Sequence, residues 1–120
     1  GLIAPTDTIE QKPELVKGFL KAVAKGWKEA IADPKAAVEL VKKRDGLIDA
    51  EIELKRLNLC VEMCIATPWV KQNGMGGVDP ERMTKAIDEA VSSFGLKAAP
   101  KAADVFDPSF LPAKEERMVF

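Results

Sequence analysis

Three prolines cut this chain into helices. Pro13, Pro34 and Pro80 each stand ahead of a stretch in which apolar residues recur at three- and four-residue steps. Proline lacks a backbone N–H and has a fixed φ, so it suits the first helical position, where that N–H has no intrahelical partner. Two of the three follow an aspartate, Asp33 and Asp79, whose carboxylates can accept from the orphan N–H groups of the first turn. The pattern predicts a run of capped amphipathic helices with sharp breaks between them.

From Pro13, the residues Leu15, Val16, Phe19, Leu20, Val23, Trp27 and Ile31 share a face, with Lys17, Lys21, Lys25 and Lys28 between them. That spacing predicts a helix of about five turns. Trp27 falls in register with Val23 and Ile31 and reads as core, and the lysines read as a solvated face. The second helix turns Ala37, Val38 and Val41 inward. It ends on Lys42-Lys43-Arg44, cations that suit the negative end of its dipole, with Gly46 just beyond. Asp49 caps a third helix with Ile52, Leu54, Leu57, Val61, Cys64 and Ile65 at core spacing and Glu51 and Lys55 as an i,i+4 pair, and Pro68 ends it. Asp79-Pro80 opens a fourth, striped by Met83, Ile87, Ala90, Val91 and Phe94 and stopped at Gly95.

The two ends read differently. Leu2-Ile3-Ala4 followed by Pro5 resembles the tail of a buried strand, and this predicts that the chain is a C-terminal piece of something longer. Beyond Gly95 the prolines are too frequent for a regular element, yet Val105, Phe106, Phe110 and Leu111 are too apolar for a free tail. The segment is expected to lie strapped against a surface. The expected fold is mainly α: four principal helices preceded by a short strand. Residues 1–120 form a single unit, with a hinge-type strand at 1–5, a helical region at 6–95 and an irregular strap and tail at 96–120. No internal repeat appears.

Composition removes several functions. Of 120 residues, 18 are basic and 19 acidic, giving a formal net charge of -1, so there is no overall positive field to attract nucleic acid or an anionic membrane. No apolar run approaches the ~20 residues that span a bilayer. The chain has no His and no Tyr, which removes Ser-His, Cys-His and His-rich zinc arrangements. No base can be paired with a nucleophile, so an enzyme is not expected, nor a cofactor or metal. Cys60 and Cys64 share a helix face but cannot complete a structural zinc site by themselves, and they read as small core residues. The segment Trp69-Val70-Lys71-Gln72-Asn73-Gly74-Met75-Gly76-Gly77 is the most glycine-rich. It matches no phosphate-binding motif and reads first as a connector.

Several segments taken together resemble a known family. They are Leu2-Ile3-Ala4 with Asp7-Thr8-Ile9, then Lys12-Pro13-Glu14-Leu15-Val16-Lys17-Gly18-Phe19-Leu20-Lys21-Ala22, Gly26-Trp27 and Ala32-Asp33-Pro34-Lys35-Ala36-Ala37. Gly77-Val78-Asp79-Pro80-Glu81-Arg82, Phe94-Gly95-Leu96 and Asp104-Val105-Phe106-Asp107-Pro108-Ser109-Phe110-Leu111-Pro112 continue the series. In order and spacing they resemble the C-terminal third of ABC-importer solute-binding proteins, in the branch that handles nitrate, sulfonates, taurine and the pyrimidine precursor of thiamine. The resemblance implies the C-terminal part of a two-lobed α/β periplasmic binding protein fold of type II, with the ligand-gripping lobes mostly upstream. It implies a small solute and an ABC permease as partners, in the periplasm or lipid-anchored outside the inner membrane. By position, Asn73, Gly74 and Met75 are the candidate ligand-binding residues. Helices shaped to cover an absent sheet would expose apolar stripes, so the chain is expected to self-associate. The alternative is a stand-alone helical protein-interaction module.

Overall fold

Each of the three prolines begins a helix in the computed structural model, which describes residues 2–120. Helix α1 spans Thr6–Gln11, α2 Pro13–Ala32, α3 Pro34–Arg44 and α4 Ala50–Cys60. A wide π turn, Val61–Ile65, extends α4, and α5 (Pro68–Asn73), α6 (Pro80–Phe94) and the single turn α7 (Ala102–Val105) follow. Two short 3₁₀ turns, Pro108–Phe110 and Lys114–Arg117, carry the chain toward its end.

The caps follow from local chemistry. Asp33 accepts from Ala36 N at 3.0 Å, and Asp49 accepts from Glu51 N and Ile52 N at 2.9 and 3.1 Å. Asp79 does the same for Glu81 N and Arg82 N at 2.8 and 3.2 Å. Gly95 takes the left-handed conformation that closes α6, and Leu96 N reaches back to Val91 O at 3.1 Å. Pro68 both follows the third predicted helix and heads a further short one, α5, capped by Thr67.

Three sequence expectations need correction. The expected strand at 1–5 does not form across residues 2–5: Leu2 and Ile3 are exposed, Ile3 to 98%, and Pro5 serves as the N-cap of α1. A strand needs a hydrogen-bonding neighbour, and no strand exists among the described residues, so neither α/β lobe is present there. The inward set on α4 is also displaced. Ile65 is buried, but Cys60, Cys64 and Ile52 are exposed. Ile52 and Cys60 lie within α4, ahead of the π turn, in which Ala66 N bonds Val61 O at 2.7 Å, an i,i+5 step. One extra residue per turn rotates everything beyond it relative to α4. Finally, Glu51 forms no ion pair with Lys55; Arg56 Nη1 meets Glu53 at 2.7 Å instead.

Packing is thin. α2 is the organising element, touching α1, α3 and both 3₁₀ turns, while α3 packs on α4 and α6 lies chiefly against the single turn α7. Among the described residues the buried apolar side chains are Ala24, Val38, Ile65 and Val119. The accessible surface is 9156 Å², against about 6,400 Å² for a closed monomer of this size. The radius of gyration is 16.8 Å, where a compact domain of this length has about 14 Å. The apolar faces of these helices are therefore not sealed against one another. Phe94, at the end of the α6 stripe, is 79% exposed.

Candidate functional site

Two places gather distinctive chemistry. The first is the glycine-rich corner after α5. Gly74 and Gly76 both adopt positive φ, 79° and 85°, a region that side-chain-bearing residues rarely occupy. This geometry folds the loop back so that its backbone meets the C-terminal 3₁₀ turn: Met75 N donates to Arg117 O at 2.9 Å. The Arg117 side chain closes the arrangement, donating from Nη1 to Met75 O at 2.7 Å and from Nε to Pro112 O at 2.9 Å. The glycine at 74 is required twice over, because a Cβ there would lie 3.2 Å from Arg117 Cβ and 3.3 Å from its carbonyl.

The same stretch is held at two further points. Glu116 pairs with Lys21 on α2, and hydrogen bonding to that ammonium lowers the Glu116 carboxyl below its usual range. Lys71 Nζ lies 5.8 Å from the centre of the Phe120 ring, within cation–π reach. Trp69 Nε1 is sealed from solvent with no acceptor among the described residues.

The three candidate ligand residues sit inside this corner. Asn73 turns its amide back, donating from Nδ2 to Trp69 O at 3.2 Å. Gly74 is buried beneath Arg117, and both backbone polar groups of Met75 are engaged by Arg117. The structure thus brings the three together as a loop anchored by the chain's C-terminal segment. Sequence reasoning missed Arg117. Lys114-Glu115-Glu116-Arg117 has the composition of a solvated tail, and nothing local marks a contact made across 42 residues.

The second place is an open groove of about 590 Å³ among α2, α3 and α4. Val23 and Trp27 form one wall, Val38 and Val41 another, and Leu57 with Cys60 a third. Its rim carries Glu53 and Arg56, which pair with each other. Val41, expected inside, is 54% exposed because this groove has no lid. No cluster of metal-ligating side chains comes together among the described residues, and none of the helices there is long and apolar enough to cross a membrane.

Compared with known families, residues 1–37 match the family model described as NMT1/THI5 like. The match covers the residues ahead of α1, then α1, α2 and the first turn of α3. Over that stretch it supports the resemblance to solute-binding proteins of ABC importers, without specifying a substrate. The chain matches none of the curated proteins and none of the solved structures with which it was compared.

Proposed function

We propose that this chain is the helical part of a solute-binding receptor that delivers a small nitrogen- or sulfur-containing solute to an ABC importer. The solute class is nitrate, a sulfonate such as taurine, or the pyrimidine precursor of thiamine. The observation that carries the reading is the family-model match over residues 1–37. The unsealed apolar faces of α2, α3, α4 and α6 are in keeping with helices that clothe a larger scaffold.

On this reading the protein works in the periplasm or lipid-anchored outside the inner membrane, and it performs no catalysis. Its partners are the solute, an ABC permease and, for the chain alone, further copies of itself. Ligand stabilises a closed state of the whole receptor because it binds that state more tightly than the open one. Asn73-Gly74-Met75 is the positional candidate for the part nearest the ligand.

The test is calorimetric. The gene product purified from its native host is titrated with nitrate, with taurine and alkylsulfonates, and with aminopyrimidines. One class should bind saturably and the permease should co-purify. Absence of both would reject the receptor.

The groove beside Trp27 favours one other reading, a helical interaction module that seats a partner helix between α2, α3 and α4. The same titration separates the two, since a module of that kind binds none of the solutes.

A further inference from the structure

Helix α2 carries more apolar surface than its neighbours cover, and the excess lies on one side. Leu15, Phe19, Val23 and Trp27 follow one another at four-residue steps, so they form a ridge that runs obliquely along the helix. Val23 and Trp27 line the open groove against α3 and α4. Leu15 and Phe19 stand beyond its end and remain 61% and 56% exposed. The lysines of the helix do not interrupt this ridge. Lys17 and Lys21 lie beside the strap residues Phe110 and Leu111, where Lys21 pairs with Glu116, and Lys25 pairs with Glu29. At the rim of the groove Glu53 and Arg56 neutralise each other. The face is apolar and uncharged, and it calls for an occupant of the same kind.

A second copy of the chain meets that description, and the spacing within α2 lets it do so reciprocally. At a rise of ~1.5 Å per residue, Phe19 stands about 6 Å to one side of Val23 along the axis and Trp27 about 6 Å to the other. When two α2 helices meet antiparallel about a two-fold axis at Val23, Phe19 of each copy falls opposite Trp27 of the other. The groove has room for it there, because Gly26 lines the same wall and a Cβ on it would meet nothing within 4 Å. Each copy thus supplies the aromatic lid that the other lacks, the self-complementary arrangement that a closed two-fold pairing requires. The area suffices. Each chain exposes about 2,800 Å² beyond a closed monomer of its size, and a standard interface takes ~800 Å² from each partner.

We propose that two copies of this chain pair through α2, antiparallel, with Phe19 of each seated over the Val23–Trp27 wall of the other. The proposal rests on the self-association of the chain alone included in the proposed function, and it is independent of which solute the receptor carries.

The full chain is studied under reducing conditions, since Cys60 lines the groove, Cys64 is exposed, and a disulfide between copies would mimic association. Sedimentation velocity across the micromolar range should give a dimer. Phe19→Lys should raise its dissociation constant by about thirtyfold or more, the loss of one aromatic anchor at an interface. Phe94→Lys, at the exposed end of α6, should leave it unchanged. Phe19 is more than half exposed, so the variant should keep its helical circular dichroism; Phe19→Ala, which adds no charge, should weaken the dimer in the same direction. The chain has two tryptophans, and in NMR spectra the indole N–H signal of Trp27 should shift on dilution while that of Trp69, sealed in the glycine-rich corner, stays in place. A monomer at every concentration overturns the proposal together with self-association. A dimer that survives both Phe19 substitutions, or a Trp27 signal that does not move as the dimer dissociates, overturns the pairing through α2 and leaves self-association standing.

Discussion

Gly74 combines a backbone angle that favours glycine with a neighbour that excludes a side chain, since Arg117 lies against the position a Cβ would take. Gly74→Ala is expected to lower stability by roughly 1–3 kcal/mol from the backbone term alone, and to displace the turn at Lys114–Arg117. The urea midpoint reads the first effect and faster amide exchange at Met75 reads the second. Glu116 contributes a pH dependence to the same region. Its carboxyl is lowered by the hydrogen bond from Lys21, so the contact adds stability above the ordinary glutamate value, about pH 4.3, and loses it as pH falls through the lower folded value. The carboxylate is well exposed, so the effect is small and local. Acid titration followed by the Glu116 side-chain resonance should show a midpoint below that of free glutamate, and Lys21→Ala should return it to the ordinary range.

At the scale of single elements, what could be read from sequence is what neighbours in sequence decide. Asp33, Asp49 and Asp79 cap their helices through N–H groups two or three residues away, and Gly95 closes α6 through its own φ. These were legible because chain proximity supplies both partners. Asp79→Ala should cost about 1 kcal/mol, and hydrogen exchange at Glu81 and Arg82 should quicken before the rest of α6 responds. The π turn was not legible. The residues Val61-Glu62-Met63-Cys64-Ile65 carry ordinary helix chemistry, and the extra residue in the turn shows only in the bond from Ala66 N to Val61 O. The candidate site was half legible. The glycine-rich composition of 69–77 drew attention to the segment but read first as a connector, and the Arg117 clamp rests on side-chain reach between segments far apart in the chain, for which periodicity carries no signal. The leading strand failed for the opposite reason. Leu2-Ile3-Ala4 has strand-like composition, but pairing needs a second strand and none is at hand among the described residues.

Taken whole, the molecule is a set of well-formed helices around α2 that share too little core. The excess of accessible surface over a closed monomer is about 2,800 Å² by the size scaling, more than the ~1,600 Å² that a standard protein interface removes from water. Copies of the isolated chain are therefore expected to associate. Sedimentation velocity across the micromolar range should show a dimer or larger species. Val41→Lys, which places a charge beside the open groove, should shift the distribution toward monomer if that groove is the contact. A monomer at every concentration would show that these exposed faces tolerate water unaided.

The widened turn after Cys60 has one more effect. It acts as a phase shifter within a continuous rod: the i,i+5 step from Val61 to Ala66 turns the residues beyond it, relative to α4, from where an unbroken α-helix would place them. Removing a single residue between Val61 and Ile65 would bring the two halves back into step. Cys64 would rotate by about 100°, and its thiol's accessibility to an alkylating reagent would report whether the two halves can be re-timed without undoing either.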